Sequence, residues 1–334
     1  MYPVELQRVF DNRGTKIVAL AEKMLLEGVK SEVLKKPLMY TLHHRKDLVR
    51  PTLMSLACEA VNGTPETVSD AAVAMILECY RIAFIDDLID ETHMKNFSYT
   101  LPKRFGMQIS LLVSIIMSTK AYFALSQLSD KIDPARYMAV NITFKDFIIR
   151  MGEGEVRNMK VKQEKKVNIQ RLIEVFKMES ADIEACTKIG AIIGKGTEEE
   201  VKALAKYGRL LGTIFLLRED LMHALNFSVQ LKDKLIQGAY PFPVLWALNN
   251  SKDFQHFLDS IEKQSKVTPQ EIKRCVQLLF NSGALDHVVH LMETKAEESI
   301  NALSQLKGSE AKKKLEFIAR VQPQMVFQFF SSKS

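Results

Sequence analysis

At 334 residues and 47% hydrophobic, the chain can bury a large core, and its net charge of +6 is too small and too dispersed for a nucleic-acid-binding surface. Only 14 Gly and 10 Pro interrupt a composition rich in Leu, Ala, Lys, Glu and Met, which favours helix nearly throughout, and no alternating run demands a sheet. Four scattered cysteines, Cys58, Cys79, Cys186 and Cys275, form no CxxC pair, which points away from a zinc site or a disulfide framework and towards a reducing, cytoplasmic setting.

Taken in order, the start MYPVELQRVF lacks the charged region and apolar core of a signal peptide. Helical spacing covers 4 to 28, ending near Gly28, and a second helical region over 47 to 62 stops at Asn62 and Gly63. An apolar segment from Val68 runs into the acidic stretch IDDLIDE, Ile85 to Glu91, and a polar connection with Pro102 and Gly106 follows. Helical patterns then cover 107 to 129, 134 to about 157, 168 to 194 and 197 to 227. Within the first of these, Ile109 to Leu125 is interrupted by Ser114, Ser118, Thr119 and Lys120, which reads as a buried helix rather than a membrane span. The basic patch Lys160 to Lys166 reads as a solvated loop between helices. YPFPVLWAL, from Tyr240 to Leu248, restarts a helix after two prolines, and smaller helices close the chain over 251 to 327. With no linker and no repeat, the expectation is one all-α domain over 1–334.

The acidic stretch is where chemistry is expected. On a helix, Asp86 and Asp90 stand one turn apart on one face with Asp87 beside them, and three ionised carboxylates so close repel unless a cation sits among them. Oxygen ligands of this kind suit Mg2+, and a substrate phosphate would complete its shell. The same letters also fit a solvated acidic helix end. They follow the apolar MILECYRIAFI, however, which puts them at the mouth of something buried. FLLREDLMHALN repeats the spacing with Glu219, Asp220 and His223, and there the motif alone favours an ordinary helix with Arg218 and Glu219 in solvent. His287 and His290, with no carboxylate in register nearby, read as surface histidines.

In the order and spacing of its motifs the chain resembles the trans-prenyltransferases, the isoprenyl diphosphate synthases, from about Arg50 to Leu248. The resemblance rests on RPTLMSLACEAVNG, on DDLID with FG at Phe105 and Gly106 after it, on Gly154 and Glu155, on Lys177, and on KYGRLLGTIFLLRED. It implies a single large helical bundle of the isoprenoid synthase type around a deep apolar cavity. It further implies Mg2+ held by Asp86, Asp87, Asp90, Glu219 and Asp220, an allylic prenyl diphosphate gripped by Lys95 and Lys177, and Arg50 and Arg81 among the substrate-binding residues. Arg81, five residues before Asp86, falls where the family sets chain length; its charge in a dry cavity needs a partner, for which Glu78 is the candidate, and the equally open alternative turns it outward towards a partner subunit or solvent.

Departures from the pattern are selective. Two cations expected before Arg50 are replaced by Asp47 and Leu48, a histidine by Cys79, and one of an arginine pair by Asn96. These are the groups that bind the second substrate, isopentenyl diphosphate, in the family, and an anion at Asp47 would repel it. His223 is a soft ligand for Mg2+, and the family's downstream Lys is missing at AYPFP. The reading these losses favour is a class I terpene synthase, a lyase that ionises an allylic diphosphate without isopentenyl diphosphate. The alternatives are a chain-elongating prenyltransferase with an altered acceptor site, using groups such as His43, His44, Arg45, Lys46 or Lys103, and a non-catalytic subunit that tunes one. A homodimer is expected, or a heteromer with an active prenyltransferase, with no nucleic-acid partner.

Overall fold

Long helices follow directly from the scarcity of Gly and Pro, and the computed structural model, which describes residues 3–44, 46–95, 98–162, 168–225, 240–261 and 267–331, is all-α as expected. The chain folds into two compact units: residues 1–145, 185–205 and 305–315 form the first, and 146–184, 206–304 and 316–334 the second.

The first unit is built on α1 (Val4–Leu26), α2 (Glu32–His44), α3 (Val49–Ala60), α4 (Ser69–Ile89), α5 (Leu101–Phe105) and α6 (Met107–Ser126). Helix α4 is its axis. Every residue from Asp70 to Tyr80 is buried, with α1, α3 and α6 packed around it. Such a helix needs no polar stripe, and its sequence has none. Helix α9 (Ala181–Ile193) reaches this unit through its last turns, where Gly190 allows close approach to α3: a Cβ there would stand 2.2 Å from the Met54 carbonyl oxygen.

The second unit holds α8 (Ile169–Glu179), α11 (Phe242–Asn250), α12 (Lys252–Ile261), α13 (Pro269–Asn281) and α14 (Ala284–Ala302). Phe176, Leu217, Leu221, Phe242, Phe254 and Met292 are among its core residues. Helix α13 opens with a reciprocal capping box, Thr268 with Glu271. Helices α7 (Pro134–Lys162), α10 (Glu198–Leu225) and α15 (Glu310–Ser331) each contribute residues to both units.

Several expectations need correction. Periodicity assigns no element to 29–46, yet α2 forms there around Pro37, whose missing N–H leaves the Val33 carbonyl without its helical donor while the helix continues. The single helix expected over 168–194 is two, parted at the buried Ser180, where a Cβ on Gly212 would meet the Ser180 Cβ at 2.5 Å. Close packing at that point, invisible in local periodicity, sets the break. Helix α6 is buried on one face only: Val113, Ser114, Met117 and Ala121 face inward while Leu112, Ile115, Tyr122 and Phe123 are exposed. By length and composition alone Met107–Asp130 could cross a membrane, and 39% of its apolar window is buried. Lys160 lies on α7 rather than in a loop, and 163–167 lie outside the described residues, as do 226 and 227 at the expected end of α10.

Candidate active site

Helix α4 is buried from Asp70 to Tyr80 and meets water in its last turns, which lead to Asp86, Asp87 and Asp90. Three carboxylates there oppose the helix dipole, whose C-terminal end is itself negative. The arrangement calls for a cation. Asp90 caps the helix, its N–H donating to the Asp86 carbonyl at 2.9 Å, and its side chain is exposed; Asp86 is half-buried. Asp87 is only 2% exposed and receives the Lys95 ammonium, with Nζ 2.8 Å from Oδ1.

A small hairpin delivers that lysine. Met94–Lys95 pairs antiparallel with Ser98–Tyr99, a sheet too short to announce itself by alternation. Thr92 N–H donates to the Asp87 carbonyl at 2.9 Å, and the Thr100 hydroxyl donates to the Thr92 carbonyl at 2.7 Å, so the strand is tied to the helix end. Lys95 thus stands as a positive charge against the acidic cluster. Among the described residues no three His, Cys, Asp or Glu side chains are close enough to cage a metal unaided.

Arg50, on the first turn of α3, pairs with Asp47: Nη1 to Oδ2 is 2.7 Å. The other Asp47 oxygen accepts from the N–H groups of Val49 at 3.1 Å and Arg50 at 3.2 Å. Asp47's own N–H donates to the Tyr80 hydroxyl at 3.3 Å. Burial, and the Asp47 charge beside it, push the Tyr80 phenol well above its ordinary range. Leu48 lies against α1, where a Cβ on Gly14 would stand 2.9 Å from its Cα. Cys79 is buried, and Asn96 lies outside the described residues, as does Arg45.

Arg81 is not at the open surface. Its side chain is 23% exposed, and Nε lies 2.8 Å from the Glu78 carboxylate, which also takes its Nη2. With Ser114, Ile115, Ser118 and Thr119 of α6, Arg81 lines an open groove of about 330 Å³, on the side of α6 where Ile115 is exposed.

In the second unit, Lys177 ends α8 with Nζ 2.6 Å from Glu174, whose carboxyl that ammonium holds below its ordinary range. Glu219 is exposed on α10, 3.9 Å from the His223 Nε2. Asp220 accepts the Phe242 N–H at 2.8 Å, which ties the motif to the first turn of α11. His287 is not simply exposed: it stacks on Trp246, ring centroids 4.9 Å apart, and burial lowers its pKa. Sequence reasoning missed the tie between Asp47 and Arg50. Its signal was present in the three-residue spacing and in an aspartate placed just before a helix.

The family model described as polyprenyl synthetase matches residues 31–279. A geranylgeranyl diphosphate synthase of Methanosarcina mazei is 27% identical over 302 residues, 89% of this chain and 90% of the relative. An octaprenyl diphosphate synthase of Haemophilus influenzae is 27% identical over 279 residues, 80% of each chain. In fold, the chain is similar to a geranylgeranyl pyrophosphate synthetase from Pyrococcus horikoshii, with a TM-score of 0.84, 24% identity and coverage of 96% of this chain and 98% of the other. These names overturn the expectation of a terpene synthase, since they are those of prenyl diphosphate synthases and no terpene cyclase stands among them. The physical error lay in treating Asp47 as a bare anion. Its charge is already met by Arg50 and two backbone N–H groups, so it does not confront a phosphate unpaired.

Proposed function

Because this chain belongs to the polyprenyl synthetase family, we propose that it is a chain-elongating prenyl diphosphate synthase that uses Mg2+, an allylic prenyl diphosphate and isopentenyl diphosphate. One observation carries the reading: an oxygen-only acidic cluster at the wet end of a buried helix, in a chain aligned over 89% of its length with a geranylgeranyl diphosphate synthase. Asp86 and Asp90 would hold magnesium, with Asp87 holding Lys95 beside them. Bound there, the ion supplies neutralisation of the charge that develops on the departing diphosphate. Lys95 adds fixed positive charge for the leaving group and Arg50 offers a guanidinium to a diphosphate, while Lys177, in the second unit, is proposed as a diphosphate-binding cation in its own right. In the second unit Glu219 and Asp220 are likewise proposed as metal ligands, with Asp220 the more constrained because one of its oxygens already accepts from Phe242.

In the reaction, the allylic C1–O bond breaks and the electron pair leaves with diphosphate. The double bond of isopentenyl diphosphate then forms the new C–C bond, and loss of a proton from its C2 restores an alkene. Arg81, paired with Glu78, opens with the exposed Ile115 onto the outer side of α6, so no role in limiting product length is assigned to it.

We include in this proposal a homodimer and a single catalytic domain. The apolar face of α6, with Leu112, Ile115, Tyr122 and Phe123 exposed, is the surface a second copy would cover. The deciding experiment incubates purified protein with Mg2+ and geranyl or farnesyl diphosphate, with and without isopentenyl diphosphate. Lengthened diphosphates that require isopentenyl diphosphate are expected. No lengthened product from any allylic substrate, with stimulation of an added prenyltransferase instead, would replace this reading with a regulatory one.

A further inference from the structure

We propose that Asp47 is a built-in counter-anion to Arg50, so that the acceptor's diphosphate engages this guanidinium only by displacing a carboxylate of the same chain. The inference rests on the elongation reading above, in which Arg50 serves a diphosphate.

The geometry is that of an occupied anion position. Asp47 Oδ2 lies 2.7 Å from Arg50 Nη1, the distance of a strong charge-assisted bond. Its other oxygen accepts from two consecutive backbone N–H groups at the start of α3, and its side chain is only 9% exposed. The residue is also fixed from behind, since its N–H donates to the hydroxyl of the buried Tyr80. Tyr80 lies six residues before Asp86 on the same helix, a rise of about 9 Å, so this anchor and the acidic cluster are parts of one rigid element. A carboxylate held by so many fixed donors remains in place without a ligand.

Two consequences follow from charge. The Asp47–Arg50 pair is neutral as a unit, so an approaching diphosphate meets neither a free cation nor a free anion. Binding at Arg50 then carries the added cost of parting the pair, which weakens the acceptor and leaves the allylic diphosphate at Asp86 and Asp90 untouched. Asp47 is therefore a determinant of acceptor affinity rather than a lesion that removes elongation.

Asp47→Asn separates charge from capping, because the amide oxygen still accepts from Val49 and Arg50 while the negative charge is gone. Two measurements are made on the full chain: isothermal titration with isopentenyl diphosphate alone, and steady-state elongation with farnesyl diphosphate and Mg2+. The expected result is a Kd and a KM for isopentenyl diphosphate lowered on the order of tenfold, with the KM for farnesyl diphosphate and Tm little changed. In the Arg50→Gln background the same change should give no gain, since no guanidinium remains to be released. Asp47→Ala should tighten the acceptor as well but lower Tm, because it also loses the cap. If Asp47→Asn binds isopentenyl diphosphate no more tightly than the parent, or tightens it equally without Arg50, the proposal is wrong even though elongation stands. If the titration shows the tenfold gain but no variant elongates any substrate, the counter-anion holds and the elongation reading falls.

Discussion

At the residue scale, the acidic cluster was legible because its chemistry lies in local spacing, whereas the state of each carboxylate was not. Sequence places Asp86, Asp87 and Asp90 together; only the fold shows that Asp87 is 2% exposed under Lys95 while Asp90 caps the helix in water. Asp86→Ala and Asp90→Ala should each slow diphosphate release about a hundredfold or more, judged from the loss of one preorganised charge-stabilising group. The same variants should keep their far-UV spectrum and unfold no more easily, since removing a negative charge from a helix C-terminus relieves up to about 1 kcal/mol of unfavourable dipole interaction. Undiminished turnover in both would remove the cluster from the mechanism. Lys177→Ala should also slow release. Arg81 supplies a stability test. Its removal leaves the Glu78 carboxylate, 1% exposed, without its cation, so Arg81→Ala should cost about 3 kcal/mol in urea unfolding, discounted somewhat because the guanidinium is itself partly wet. The double change Glu78→Leu with Arg81→Leu should recover most of that loss; if the single variant unfolds like the parent, the pair carries no such weight.

Elements are legible in the sequence where periodicity is long and hidden where packing between distant segments decides. Helix α4 was recognisable because a helix buried on all sides is apolar on all sides, and α10 because its pattern persists over many turns. The break at Ser180 depends on Gly212 of another helix, and α2 on tolerance of an internal proline, neither of which local pattern carries. Helix α6 is the instructive case. Its composition suggested burial, and its inner face is buried, but Leu112 and Phe123, each 50% exposed, lie eleven residues apart and so share one outward face. That stripe is the face on which the proposed second copy would sit. Replacing both with glutamate should convert the proposed dimer to a monomer in light scattering while the helical spectrum stays, because neither side chain contributes to the inner face. A parent protein that is monomeric at micromolar concentration, or a double variant that remains dimeric, would exclude α6 as the contact.

For the whole molecule, composition was sufficient for fold class, since a chain this poor in Gly and Pro, with no alternating runs, has little but helices to form. Reaction type was harder, because it turns on a few side chains whose partners are distant in sequence, and Asp47 illustrates how a letter suggests repulsion where the fold supplies a counter-charge. The division of the molecule can be tested directly. Four helices, α7, α9, α10 and α15, pass from one compact unit to the other within their own length. Melting one unit alone would therefore leave four helices broken in their interiors, each with newly exposed N–H and C=O groups and a fresh pair of uncapped ends. That penalty favours concerted unfolding over stepwise unfolding. The single tryptophan, Trp246 on α11, reports the second unit alone, whereas the far-UV signal reports helix from both. Urea titrations followed by the two signals should superimpose, with one midpoint and one slope. A tryptophan transition displaced from the helical one would show that the second unit unfolds on its own, and the single-domain reading would then give way to two.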